Sequence, residues 1–459
     1  MNCNPQHFRK LNRRGFIQAG TLSYLGLSLG DYFRLQAAPD MALGALDSAP
    51  RKEPKAKNVI QIFLPGACSH LESWDPKPEA SIDIRGPFGV VKTKLPGVVF
   101  GEMMSRCAQI ADKLTVVRSV SGRIPDHALA TYHSMTGYLP SPAIQHPQMG
   151  AIVSHELGPI NELPAWIGVP AKPGGAWTPN TGYMASKFGC FSVGGDPGTK
   201  GFQVRDIALP HSVSAADFAK EQDLRAAAES YFRGRETDGQ ALDTMDEFYR
   251  KAYGLLGSPA AQKAFSLESE SEAMRDLYGC GKYATKSPPK ILGVGERLLF
   301  ARRLVEAGTR FVSVTYEGAG TWDHHGKIRE EFSQAMPAFD HALAGLITDL
   351  DQRGLLDSTM VMVMTEFGRT PKVNAAAGRD HHARNYSLVL AGGGITRGQV
   401  YGASDAIGYE PARDGVMLED FLATAYGQLG IDSNKRIMAP GERPIDIVRE
   451  GKVIKGLIA

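Results

Sequence analysis

The sequence of 459 residues has no surplus of charge: 51 Lys and Arg stand against 49 Asp and Glu, a formal +2. Without a basic footprint, nucleic acid is not expected as a partner. No stretch of 18 uncharged apolar residues occurs, which excludes a multi-pass membrane protein. Cysteine is scarce, five residues without paired spacing, so neither a disulfide-built scaffold nor a CxxC zinc ribbon is expected. Internal repeats are missing as well. What is there is 43% hydrophobic and 22% charged residues, the composition of a globular protein. The length suits two or three domains, or one large α/β domain with insertions.

Residues 1–38 read as an address rather than as structure. Arg9, Lys10, Arg13 and Arg14 precede a mildly apolar, Gly-rich run from Gly15 to Gly30, and small residues follow at Ala37 and Ala38. That is the basic, apolar and small-residue order of an export signal. Arg13-Arg14-Gly15-Phe16-Ile17 resembles the twin-arginine signal, whose route carries folded proteins across a bacterial inner membrane. A periplasmic or extracellular location is expected, with no stable membrane span once the signal is removed. Residues 39–57 read as a Pro/Ala/Lys linker. Removing 1–38 leaves 46 basic and 48 acidic residues, so the rest of the chain is slightly acidic. Cys68, Cys107, Cys190 and Cys280 remain; an oxidising compartment would let them pair, although their spacing does not say so.

From Asn58 onward apolar strands alternate with helical patterns, the mark of an α/β sheet. Strands are predicted at 59–64, 114–118, 310–316, 359–364 and 387–391, and helices at 102–112, 126–136, 290–307, 329–353 and 418–429. Residues 138–210 read as Gly/Pro-rich loops over one end of the sheet, and 214–278 as a polar helical insertion. The domain is drawn at 58–435, with 436–459 as a C-terminal hairpin turning around Glu450-Gly451.

Three of these strands run directly into polar clusters. Ser69, His70 and Asp75 follow the first, Trp322-Asp-His-His325 follows the strand at 310–316, and Thr365-Glu-Phe-Gly-Arg-Thr370 follows that at 359–364. A fourth cluster, Arg379-Asp-His-His382, precedes the strand at 387. In open parallel sheets, ligands sit at the carboxyl ends of strands. Imidazoles and carboxylates gathered from separate loops are the usual shell of zinc, manganese, iron or calcium. Each cluster alone is also what an exposed turn would show, and Glu366 can either pair with Arg369 or bind a metal. On the helix at 126–137, Asp126 is a candidate N-cap, and His127 and His133 do not share a face at 100° per residue. Arg118 and Arg369 are candidate anchors for phosphate or sulfate oxygens.

The segments Pro65-Gly-Ala-Cys-Ser-His-Leu-Glu-Ser-Trp-Asp-Pro-Lys-Pro78, Ile84-Arg-Gly-Pro-Phe88, Val117-Arg-Ser-Val120, Met135-Thr-Gly137, Trp322-Asp-His-His325, Thr365-Glu-Phe-Gly-Arg-Thr370, Gly378-Arg-Asp-His381 and Leu390-Ala-Gly-Gly-Gly394 resemble, in order, the exported bacterial family called domain of unknown function 1501. That family is similar to the alkaline phosphatase and sulfatase superfamily. The resemblance implies a three-layer α/β sandwich, a mostly parallel central sheet with helices on both faces, and one or two metals at the strand ends. His127–Gly137 resembles the sulfatase helix that begins at the nucleophile, and Met364–Arg369 resembles the strand and Asp-His-Gly metal turn. In this chain His127 stands at the nucleophile position and Glu366-Phe367 at that of the Asp-His pair.

The resemblance therefore implies an exported, metal-binding, hydrolase-like protein acting on a sulfate or phosphate ester of a polysaccharide or related anionic substrate. His70, Asp323, His325, Glu366, Asp380 and His381 would form the shell of a divalent zinc, calcium or manganese ion. His127 would be the catalytic group and Arg369 the anion clamp. The rival is a non-catalytic protein on the same fold, which binds sulfated glycan or assembles with other exported proteins.

Overall fold

A computed structural model of the chain describes residues 53–204, 258–283, 293–316 and 321–459, with isolated positions between 214 and 224. The predicted signal, most of the linker and much of the predicted insertion lie outside the described residues. Within them the central sheet is built from β1 (Asn58–Phe63), β2 (Thr115–Ser121), β3 (Trp166–Val169), β4 (Phe191–Ser192), β5 (Phe311–Thr315), β6 (Thr359–Met364), β7 (Tyr386–Ala391), β8 (Gln399–Tyr401) and β9 (Val416–Met417). The strand order is β8-β2-β7-β6-β1-β5-β3-β4, with β9 also on β2.

Strand direction decides where the site forms. β1 pairs in parallel with β5 and β6, so that Val59 lies opposite Phe311 and Met360. β7 runs antiparallel to both β6 and β2. Two reversals restore the direction, and β2 runs with β6. The carboxyl ends of β1, β2, β5 and β6 and the amino end of β7 therefore share one edge of the sheet.

β1 and β6 form strands because every side chain in them is buried, as continuous apolar runs in a doubly covered sheet are. Side chains alternate between two cores. Ile60, Ile62, Val361 and Val363 pack with helices α3 (Val294–Glu306) and α4 (Ile328–Gln352). Val59, Phe63, Met360 and Met362 pack on the other face with α1 (His127–Thr136), α2 (Met149–Leu157) and α5 (Leu418–Gln428). The result is the expected α/β architecture, a mixed, mostly parallel sheet with helices on both faces. No helix among the described residues is long and apolar enough to cross a membrane.

Two expectations need correction, and one question that the sequence leaves open is answered. Residues 138–210 are not all loop: they contain α2 and β3, and their glycines serve close packing. A Cβ at Gly150 of α2 would lie 2.3 Å from the Trp166 ring on β3. The C-terminal hairpin pairs Arg436–Ala439 with Arg443–Asp446 and so turns at 440–442, where Gly441 and Glu442 have positive φ. It is part of the unit spanning Pro54–Ala459, with Ile437, Ile447, Val448 and Leu457 in the core. Cys68, Cys107, Cys190 and Cys280 are all free thiols, and Cys68 and Cys107 are buried.

Candidate metal centre

The sheet edge collects its polar groups from four connections. After β2, the Asp126 carboxylate caps α1 by accepting the Leu129 N–H at 2.9 Å, and His127 becomes the first helical residue. After β1, Gly66 adopts a positive φ of 104°. Its N–H donates to Glu366 Oε1 at 2.7 Å, and its carbonyl accepts from Arg369 Nη2 at 2.6 Å. The loop after β6 carries Glu366 and Arg369, and the segment before β7 carries Asp380 and His381. Asp323 and His325 come from the connection between β5 and α4.

These groups converge on Asp323 Oδ1. The Nε2 atoms of His325, His381 and His127 lie 3.1, 3.2 and 3.3 Å from it. His325 Nε2 and His381 Nε2 are 3.0 Å apart. Each imidazole has its other nitrogen against an acceptor. His127 Nδ1 is 2.7 Å from Glu366 Oε1, His325 Nδ1 is 2.9 Å from Asp380 Oδ1, and His381 Nδ1 is 2.9 Å from the Pro125 carbonyl. Acceptors in those positions keep a proton on Nδ1 and turn the Nε2 lone pair toward Asp323. Asn374 Nδ2 braces this arrangement by donating to Asp380 Oδ1 at 3.1 Å and to the His325 carbonyl at 2.9 Å.

Lone pairs and a carboxylate so close together repel unless a cation joins them. Single ligand atoms of His127, Asp323 and His381 all lie within 4.8 Å of one another. His127 Nε2 is buried and makes no hydrogen bond of good geometry. In the bare protein a proton is the joining cation. Burial alone would lower the His127 imidazolium, but the Asp323 and Glu366 carboxylates outweigh it and raise it to about 9. Burial likewise opposes Asp323, yet His127 and Arg369 hold its carboxyl well below the usual range. Burial keeps His381 below its ordinary value, in the neutral form a ligand needs.

A divalent metal ion can replace that proton. The His127, Asp323 and His381 donors, with His325 Nε2 beside them 3.1 Å from Asp323 Oδ1, offer the imidazole nitrogens and carboxylate oxygen that zinc takes, and the orphaned His127 Nε2 fits such an ion. Calcium, one of the expected ions, wants six to eight oxygens and does not fit this nitrogen-rich set.

The structure sorts the sequence candidates. His127, Asp323, His325 and His381 face the centre of the cluster; Glu366 and Asp380 stand behind imidazoles, on their Nδ1 side. His70 stays apart: it is buried, with Nε2 2.9 Å from the Gly408 carbonyl. Arg369 is not an anion clamp. It is 1% exposed and donates to the carbonyls of Ala67, Gly66 and Arg379 and to Asp323 Oδ1, so its guanidinium sets the carboxylate in place. Arg118 is similarly occupied by the Val99 carbonyl and Asp75. Phe367 packs its ring 5.0 Å from His127 and 4.8 Å from His381, as a wall for both. Sequence reasoning missed the Pro125 carbonyl and Asn374, which carried no motif signal.

Residues 56–458 match the family described as "Protein of unknown function (DUF1501)". No curated protein matches the chain. Among solved structures, a protein in the alkaline phosphatase superfamily from Vibrio parahaemolyticus is 9% identical, covering 84% of this chain and 69% of its own, with a TM-score of 0.36. The lipoteichoic acid synthase LtaP from Listeria monocytogenes is 10% identical, covering 86% and 76%, with a TM-score of 0.37. The PsFucS1 sulfatase from Pseudoalteromonas sp. is 13% identical, covering 85% and 70%, with a TM-score of 0.35. Likeness at that level says nothing about chemistry, which the side chains themselves must carry.

Proposed function

The chain belongs to the DUF1501 family, and from that premise we propose that it is a metal-dependent hydrolase of sulfate or phosphate esters working outside the cytoplasm. The observation that carries the reading is the convergence of three imidazole Nε2 atoms on Asp323 Oδ1, with every Nδ1 already engaged. His127, His325, His381 and Asp323 would hold the ion. A divalent metal there would supply a Lewis acid for a charged ester oxygen and, by expanding from four protein ligands to five-coordination, would hold a water and lower its pKa toward neutrality. Glu366 and Asp380 fix the tautomers of His127 and His325, and the buried Arg369 fixes Asp323, so the cluster is organised before substrate arrives. An imidazole heads α1 where a hydroxyl or thiol would form a covalent intermediate, so the reading is of direct attack by water. Sulfated polysaccharide, the substrate class suggested by the sequence resemblance, is one source of such esters.

Location outside the cytoplasm rests on Arg13-Arg14 and the apolar run behind them. Cell fractionation of an Arg13→Lys/Arg14→Lys variant tests it: retention in the cytoplasm supports export by that route, and unchanged export overturns it.

A second reading, a metal-holding protein without turnover, is favoured by His127 at the head of α1. Metal content and turnover of 4-nitrophenyl sulfate and phosphate separate the two. Near-stoichiometric metal with turnover, both lost in His325→Ala, supports the hydrolase. Metal without turnover supports the binding protein, and absence of metal from protein incubated with zinc overturns both.

A further inference from the structure

We propose that the cavity beside His127 is the subsite for the organic half of the ester, and that it takes an uncharged planar ring. This rests on the hydrolase reading of the metal cluster and specifies what departs from it.

The cavity has a volume of about 290 Å³ and opens at the edge of the sheet that carries the metal cluster. Its walls include Phe63 at the end of β1, Thr315 at the end of β5, and Thr131, one helical turn beyond His127 on α1. Trp177 joins the two sites. It lines the cavity, is 43% exposed, and lies nearly parallel to His127, with ring centroids 6.5 Å apart and planes inclined by 14°. A ring bound on that aromatic face sits beside the imidazole at the metal centre.

Charge decides against an anion in this cavity. Its two cations are engaged: Lys172 donates to the Gly175 and Thr178 carbonyls, and Arg297 pairs with Asp196 at 2.5 Å and donates to the Thr315 carbonyl at 2.8 Å. Much of the remaining wall is carbon, including Phe63, Pro65, Ala176 and Trp177. The Thr131 and Thr315 hydroxyls are buried there without a hydrogen bond. Neither hydroxyl is exposed to the cavity, and the largely carbon walls suit a flat ring. They do not suit a monosaccharide, whose several hydroxyls would each lose water without a partner. The charged sulfate or phosphate is left to the metal cluster and the ring to the cavity, so an aryl ester takes the place of sulfated polysaccharide as the substrate class.

Phenol binding to the whole protein tests this by calorimetry, on chelator-treated and zinc-loaded samples, with methyl glucoside as the comparison. Saturable phenol binding is expected in both samples, weakened about tenfold by Ala176→Leu at the exposed cavity mouth. Absence of saturable phenol binding, equal binding by Ala176→Leu, or tighter binding of the glucoside overturns the subsite. Phenol binding without turnover of any ester leaves the cavity standing and removes the hydrolase reading, whereas turnover without phenol binding does the reverse.

Discussion

Replacing Glu366 with Gln keeps the side chain's shape and removes its charge. Glu366 Oε1 accepts from Gly66 N–H and from His127 Nδ1, both at 2.7 Å, and the side chain is fully buried. A Gln oxygen in that place still accepts both bonds, so the turn after β1 survives and stability falls by only about 1 kcal/mol. What changes is the imidazole. A carboxylate behind Nδ1 fixes the tautomer and makes Nε2 the better donor, and loss of such a partner costs roughly 10- to 100-fold in metal affinity, or about 1.4–2.7 kcal/mol. In the metal-free protein His127 should fall from about 9 toward its ordinary 6.5, because Asp323 alone then opposes burial. Chelator competition measures the zinc affinity, and an NMR titration of the chelator-treated protein measures His127, with thermal unfolding as the control. A Gln variant that binds zinc within about twofold of the parent, or loses zinc only together with its fold, would show that the carboxylate does not tune His127.

Arg379 and Glu72 form an ion pair at 2.6 Å with neither side chain exposed. Arg379→Met should therefore cost about 3–5 kcal/mol in denaturant unfolding by stranding the carboxylate, while adding Glu72→Gln restores much of it; an equal loss in both variants would contradict this. Burial lowers His70 from 6.5 to about 4. The unfolded chain then binds the extra proton between those values, so stability is full above pH 6.5 and drops by about 3 kcal/mol as the pH falls to 4. His70→Gln should flatten that part of the stability–pH curve, and an unaltered slope would count against a buried neutral imidazole. A Cβ at Gly378 would lie 2.1 Å from the carbonyl carbon of His325. Gly378→Ala should thus displace that ligand and lower zinc affinity about tenfold while far-ultraviolet dichroism stays unchanged; parental affinity would show that the backbone there is free to move.

The fold is legible in the sequence where the physics is local. β1 and β6 lie between two helical layers, so their residues read as unbroken apolar runs. The polar clusters behind them point to the correct sheet edge, because parallel strands deliver their carboxyl ends together. The N-cap at Asp126 and the αL glycine at Gly137 delimit α1 from sequence alone. Glycines mislead where packing requires them: Gly150 permits the contact between α2 and Trp166 but reads as a loop residue. Roles within the site are less legible than membership, since residue type does not say which side of an imidazole a carboxylate occupies. Glu366 and Asp380 have the residue type of direct metal ligands, yet each carboxylate spends an oxygen on the Nδ1 of a histidine whose Nε2 faces Asp323 Oδ1. Arg369 reads as an anion contact because a guanidinium can grip phosphate or sulfate oxygens, yet its acceptors include Gly66 and Ala67, contributed by a segment some three hundred positions away.

The proposed metal centre requires His127, His325 and His381 to direct Nε2, with Asp323, at one divalent ion. X-ray absorption at the zinc edge, on protein loaded with zinc and freed of excess, reads that shell directly. About one zinc per chain is expected, with three nitrogens at about 2.0–2.1 Å and a carboxylate oxygen, and one imidazole fewer in His381→Ala. A shell of oxygens only, or one that His381→Ala leaves unchanged, would contradict it.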